Sequence, residues 1–265
     1  LQERGHDVYG FDLKESKYIK SYAGNAFDTE TLSKVIKDGD YDSVINCIGI
    51  LNQFAEHNHA LASYINGYFP HFLAEITEGT RTQVIHMSTD CVFSGKRGNY
   101  VENDFRDNET FYGRSKALGE LDDEKNITMR DSIVGPDTNP NGPSLLNWFM
   151  AQSGQVNGFT NKMWTGLTTL ELAKAMEAAA IERAHGLYNT VPDRAISKYK
   201  LLTLFNHYLR NDSLTVTPVE GAPANLSLKR TRYEFSYRIP DYDKMIAELA
   251  EWIIKHKGMY PHYNL

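Results

Sequence analysis

Over its first 135 residues the chain alternates short apolar runs of strand length with segments of helical periodicity, and this alternation limits the folds open to it. Val8–Asp12, Ser43–Gly49, Gln83–Ser88 and Asn126–Val134 read as strands. Between them, residues 29–38 place Leu32, Val35 and Ile36 on one helical face, 58–77 form a longer helical pattern interrupted at Pro70, and 111–120 suit a third helix. Parallel neighbours need a crossover of a dozen or more residues, which a helix supplies. The pattern therefore predicts an α/β fold: a doubly wound parallel sheet, covered on both faces, containing the strands near Val8, Val44, Val84 and Thr128. Ligands of such sheets bind beyond the carboxyl ends of the strands.

After residue 140 the pattern loosens, with helices expected over 167–183, 196–209 and 242–256 and a short strand at Gly186–Asn189. We read residues 1–140 as the sheet domain and 141–265 as mainly a smaller covering region, partly interleaved with the first. At the front, Leu1–Arg4 reads as the last turn of a helix capped by Gly5. A domain seldom opens on the end of a helix, so an upstream strand and most of a helix are expected to be missing.

Bulk properties exclude several function classes. Of 265 residues, 28 are basic and 34 acidic, a net charge of -6, which disfavours general nucleic-acid binding because phosphate neutralisation needs clustered Lys and Arg. No apolar run is long enough to span a membrane, and no signal-peptide pattern opens the chain. The two cysteines, Cys47 and Cys91, form no C-x-x-C pair, which suits a reducing, cytoplasmic setting. His57 and His59 lack a third ligand, so no metal is expected.

The chemistry is concentrated in two neighbouring segments, Ser88-Thr89-Asp90-Cys91-Val92-Phe93-Ser94-Gly95 and Tyr112-Gly113-Arg114-Ser115-Lys116-Ala117-Leu118-Gly119-Glu120. Tyr112 and Lys116 are four residues apart, hence on one helical face. An ammonium there favours the phenolate, so Tyr112 can act as a general acid or base towards an alcohol or ketone oxygen. The Thr89 hydroxyl at a strand end can hydrogen-bond the same oxygen. Tyr and Lys at this spacing are common by chance, and the spacing alone decides little. Tyr199 is an internal contrast: no lysine follows it four residues on.

Together, S-T-D-x-V-F-x-G, an acidic loop and Y-G-x-S-K-x-x-G-E resemble the dTDP-4-dehydrorhamnose reductase family of extended short-chain dehydrogenases. The resemblance is densest from Ser43 to Gly135. It implies a Rossmann-type fold, NADP or NAD as cofactor, a nucleotide-sugar substrate whose 4-keto group is reduced, and Thr89, Tyr112 and Lys116 as catalytic residues. It makes 1–140 the dinucleotide-binding domain and 141–265 mainly the substrate-binding region. Asn46, Cys47, Ile48 and Gly49 sit where such enzymes line the cofactor, and Asn66 matches the family's helical asparagine near the active site. Asp12 closes the strand whose acid meets the adenosine ribose, and Lys14 two residues on leaves NAD against NADP open. Asp90, Cys91 and Ile133 are expected at the sugar, although family members often carry tyrosine at the second position and tryptophan at the third. Trp148 and Trp164 are candidates to frame the nucleotide, and Arg230, flanked by Lys229 and Arg232, to meet the diphosphate.

One departure is large. The glycine-rich loop that cradles a pyrophosphate at a helix N-terminus does not occur near the start of the chain. In this form the chain is expected to bind the cofactor weakly. A reductase remains one reading beside a non-catalytic subunit on the same fold and an epimerase or dehydratase of the same superfamily. A homodimer stays open.

Overall fold

A computed structural model describes every residue except Asn264. The chain divides into two compact units: residues 1–88, 109–129 and 176–187 form the first, and 89–108, 130–175 and 188–265 the second.

The first unit holds strands β1 (Tyr9–Asp12), β2 (Lys20–Ala23), β3 (Ser43–Asn46), β4 (Gln83–Met87) and β5 (Ile127–Arg130), and is completed by β10 (Gly186–Asn189). Its helices are α1 (Thr29–Gly39), α2 (Asn52–His57), α3 (His59–Ala62), α4 (Phe69–Ile76), α5 (Phe111–Leu118) and the latter half of α7 (Thr169–Glu182). The main sheet has the order β10-β5-β4-β3, with β3, β4 and β5 parallel. Every residue of β5 and all of β4 but Met87 are buried, as strands covered on both faces must be. Their polar side chains are bonded inside: Gln83 donates to the Lys125 and Ala184 carbonyls, and Thr128 accepts from Leu121 N. Leu32 and Ile36 of α1 and Phe69, Phe72 and Leu73 of α4 pack with Val84 and Leu121 in one apolar cluster.

Two expectations for this unit are corrected. The strand near Val8 is not part of the main sheet: β1 pairs with β2 in a separate parallel pair. Among the described residues no strand hydrogen-bonds to both β1 and β3. All four β1 residues are exposed or half-buried, and Phe11 alone on that strand reaches the cluster. The long helix over 58–77 is three pieces, with a π-helical turn at Ser63–Tyr68 between α3 and α4. Pro70 has no N–H for the Asn66 carbonyl, so the backbone widens there and α4 starts afresh with proline in its first turn.

The second unit contains β6 (Ile133–Val134), β7 (Gln155–Phe159), β8 (Lys162–Trp164), β9 (Leu167–Thr168), β11 (Ile196–Ser197), β12 (Thr215–Val219) and β13 (Ala224–Asn225), with α6 (Leu145–Met150), α8 (Lys198–Arg210) and α9 (Tyr242–Lys255). β7 pairs with β12 and β6 with β9, both in parallel. β8 lies between antiparallel β11 and parallel β13. The single strand expected over 126–134 is therefore two, because the Asp131 and Ser132 carbonyls are taken by Asp90 N and Leu167 N. Helix α8 buries Leu201, Leu202, Phe205 and Leu209, with Phe205 against Phe149 of α6. Glu102, 1% exposed, ties three segments together by accepting from Asn189 N, Thr231 N and Thr231 Oγ1.

Candidate active site

The Tyr112–Glu120 segment is fixed residue by residue within the first unit. Thr110 caps α5 by accepting from Gly113 N at 3.0 Å. The Glu56 carboxylate of α2 accepts from Tyr112 N at 2.9 Å, and this bond, offset in part by burial, holds its pKa below the usual value. An anion at a helix N-terminus is also favoured by the helix dipole. Lys116 is 4% exposed, and its Nζ donates to the Met87 carbonyl at 2.7 Å, at the end of β4. Ser115 Oγ donates to the Tyr112 carbonyl and accepts from Asn66 Nδ2 at 3.1 Å. Ser88 Oγ donates to Glu120 at 2.8 Å, joining the last residue of the second motif to the first residue of the S-T-D motif. Gly119 is required by close approach: a Cβ there would lie 2.0 Å from the Asn66 carbonyl oxygen. Ser88, Ser115, Gly119 and Glu120 were legible as fixed positions of the two motifs, though not what they bond or pack against; Glu56 was not singled out from the sequence, and Thr110, a threonine just ahead of a helical run, carried a legible capping signal.

Asn66 is fully buried in the π turn, not a solvent-facing helix residue. Its Oδ1 accepts from Ile50 N at 2.8 Å while Nδ2 donates to the Ile50 carbonyl at 2.9 Å, so it clamps the loop after β3. Asn46 closes β3 and is itself pinned: Nδ2 donates to His86 Nδ1 at 3.1 Å and Oδ1 accepts from Ile48 N. That leaves Cys47, Ile48 and Gly49 exposed on a braced loop. His86 is fully buried; burial, then the Lys116 charge, drives its pKa well below 6.5, so the ring is neutral. Accepting at Nδ1 puts its proton on Nε2, which has no hydrogen-bond partner. Asp12, the last residue of β1, and Lys14, two residues on, are exposed, with Asp12 Oδ1 accepting from Leu13 N.

In the second unit Thr89, 8% exposed, accepts from Cys91 N at 3.1 Å and donates to Asp90 Oδ1 at 3.3 Å. Asp90 is buried, and burial pushes its pKa up to about 6 against the hydrogen bonds from Cys91 and Thr89. Burial and then the Asp90 charge push the Cys91 thiol up to about 12, so it stays protonated and donates to Asp90. Ile133 is 42% exposed on β6. Trp148 is exposed on α6 and lines a depression of about 590 Å³ with Pro143 and Ser144. Trp164 is buried, its ring against Tyr242 and beneath the Lys198 ammonium, 4.5 Å from the ring centre. Arg230 is buried too, and its guanidinium donates to the Arg232, Phe235 and Tyr237 carbonyls of its own loop.

Residues 1–238 match the family model described as the RmlD substrate binding domain. The chain belongs to that family. Among its relatives, a dTDP-4-dehydrorhamnose reductase of Mycobacterium tuberculosis is 34% identical over 218 residues, 78% of this chain and 71% of that protein. A probable low-salt glycan biosynthesis reductase of Haloferax volcanii is 35% identical over 124 residues, 45% of this chain. The match spans only 41% of the Haloferax protein's length. The solved dTDP-4-dehydrorhamnose reductase of Bacillus anthracis, in complex with NADP, superposes with a TM-score of 0.74 at 17% identity, covering 88% of this chain and 89% of that one. The family likeness read from the two motifs is thereby borne out, and so is the Rossmann-type α/β fold. No helix among the described residues is long and apolar enough to cross a membrane.

Proposed function

We propose that this protein reduces the 4-keto group of a nucleotide-linked deoxysugar with NADPH or NADH. The observation that supports the reading is the bracing of α5: Glu56, Thr110, Asn66 and the Met87 carbonyl hold in place the helix that carries Tyr112 and Lys116, the pair that the motif likeness makes catalytic. The residues of the first unit suit a nicotinamide nucleotide. Cys47, Ile48 and Gly49 present an exposed loop, and Asp12 offers a carboxylate for ribose hydroxyls. Lys116, whose ammonium donates to the Met87 carbonyl, serves the nicotinamide ribose. In the same reading the second unit mainly serves the sugar nucleotide.

When bound, the reduced cofactor supplies the hydride to the carbonyl carbon. The chain's own residues manage the oxygen. Tyr112 Oη gives it a proton as charge develops, Lys116 orients the ribose and stabilises the phenolate left behind, and the Thr89 hydroxyl donates a hydrogen bond to the same oxygen. Thr89 donates to Asp90 in this structure, so this role requires its hydroxyl to turn from Asp90 to the substrate. The reading also carries a cytoplasmic location and a homodimer, the latter open to light scattering of the purified protein.

The test is oxidation of NADPH by the protein with dTDP-4-dehydrorhamnose. Tyr112→Phe should lower kcat roughly 10²–10⁴-fold, the usual contribution of a positioned acid, with KM little changed. A wild-type protein that leaves NADPH unoxidised with this and other nucleotide-linked 4-keto sugars even at NADPH concentrations high enough to fill a weak site, or a Tyr112→Phe variant at full rate, would end the proposal.

A further inference from the structure

His86 has no part in the reaction steps proposed above. It follows Val84 and Ile85 in β4, and like them it has no exposed surface. The pairing of β3 with β4 sets Asn46 directly opposite it. There the imidazole Nδ1 accepts from Asn46 Nδ2 at 3.1 Å, and Asn46 is itself buried. Burial keeps the ring neutral, so Nδ1 retains the lone pair with which it accepts. The arrangement has a cost, because the buried Nε2–H meets no acceptor among the described residues. An apolar side chain at position 86 would avoid that cost.

What the ring supplies is an acceptor that decides which way the Asn46 amide faces. With Nδ2 held by His86, Asn46 Oδ1 is turned to the loop after β3, where it accepts from Ile48 N at 3.2 Å. Two residues on, Ile50 N donates to Asn66 Oδ1 at 2.8 Å. The Cys47–Gly49 loop is thus fastened at both ends: by Asn46 and His86 to β4, and by Asn66 and Ser115 to α5. The Asn66 amide grips Ile50 with both its oxygen and its nitrogen, so that end holds itself. The Asn46 end depends on a third residue. Without an acceptor at position 86 the buried Nδ2 is left unpaired, and the amide gains by swinging out of the sheet, which releases Ile48 N.

We propose that His86 is a positioning residue: through the Asn46 amide it holds the Cys47–Gly49 loop in the shape that receives the nicotinamide nucleotide. The assignment rests on the reductase reading for the ligand of the loop, but its test does not require turnover.

The experiment pairs calorimetric titration with NADPH, taken to concentrations that fill a weak site, with hydrogen exchange of the Ile48 amide in the protein alone. His86→Leu and His86→Phe carry no acceptor. Each should weaken NADPH about five- to thirtyfold, the scale of one buried donor left unpaired, and speed Ile48 exchange about tenfold. His86→Asn places an amide oxygen on the same carbon that carries Nδ1. It should keep NADPH within about threefold and keep Ile48 protected, although it removes more of the ring and lowers Tm further than leucine does. A merely structural role predicts the reverse order, with asparagine the worst of the three. In an Asn46→Ala background His86→Leu should add less than about twofold, because the imidazole acts through that amide. Thermal unfolding checks that each variant is folded. Unchanged NADPH affinity in folded His86→Leu or His86→Phe overturns the proposal, as does a loss in His86→Asn as large as theirs. A wild type that binds no NADPH overturns it together with the reductase reading. NADPH binding that depends on His86, without reduction of any nucleotide-linked 4-keto sugar, would uphold His86 and sink the reductase reading alone.

Discussion

Gly119→Ala tests the packing that positions the proposed acid. A methyl group built on Gly119 would sit 2.0 Å from the Asn66 carbonyl oxygen and 3.1 Å from Pro70 Cγ. The obstacle at the shorter distance is backbone, and the π turn is anchored by the Asn66 clamp on Ile50, so it cannot rotate out of the way. Real Cβ atoms essentially never come within 3.0 Å of a non-bonded heavy atom, so α5 and the π turn must separate by about 1 Å. The bond from Asn66 Nδ2 to Ser115 Oγ, 3.1 Å in this structure, would then be lost. Overpacking of this kind costs about 1–3 kcal/mol and the lost bond about 1 kcal/mol more. For a chain of this size, that total corresponds to a fall in Tm on the order of 4–7 °C. The sign is what makes the test sharp. Gly119 has ordinary right-handed backbone angles (φ −85°, ψ 0°), so with open space beside it alanine would be neutral or stabilising by roughly 0.5–1 kcal/mol. Thermal unfolding reads the difference, and NADPH oxidation reads the displacement of Tyr112 and Lys116. An unchanged or raised Tm would refute the close approach, and with it the account of why this motif needs its glycine.

Two further outcomes are expected. Asp90 has a folded pKa of about 6 against an ordinary 3.8, so between those values the native state holds a proton that the unfolded chain has released, and stability falls as pH rises through that window. Asp90→Asn should therefore gain roughly 3 kcal/mol relative to wild type between pH 4 and 7, measured by chemical denaturation at each pH; a difference that does not change with pH would contradict the burial argument. Glu102→Ala should cost roughly 3–5 kcal/mol by the same measurement, since it strands the buried donors Asn189 N, Thr231 N and Thr231 Oγ1, and a loss under about 1 kcal/mol would show that water replaces the carboxylate.

Where the sequence was legible, local physics decides. The main-sheet strands at Ser43–Asn46 and Gln83–Met87 and the helices at Thr29–Gly39, Lys198–Arg210 and Tyr242–Lys255 all fall within a few residues of where periodicity puts them. Each has a continuous apolar run or an amphipathic face, and the three helices open on a capping side chain: Asp28, Ser197 and Asp241. Strands β7, β8, β12 and β13 went unread because Gln155–Phe159, Lys162–Trp164 and Thr215–Val219 have no apolar run, and Ala224–Asn225 is too short to show one. They owe their strand conformation to partners far along the chain.

The sequence by itself determined the family and the spacing of the residues proposed to carry the chemistry. Tyr112 and Lys116 share a helical face through a spacing of four, and Thr89 follows an apolar strand, whatever the rest of the chain does. Only the tertiary structure decided what surrounds those groups. It made Asn66 a clamp, turned the Arg230 guanidinium onto its own loop, buried Trp164 and set Lys198 over it. It also placed β1 beside β2 and not in the main sheet. The reason is range. Periodicity, capping and motif spacing act over one or two turns of chain, whereas the carbonyl that accepts from Lys116 lies 29 residues away and the ring beneath Lys198 lies on another strand. Such contacts exist only after the chain has closed on itself, because burial and not local propensity selects them.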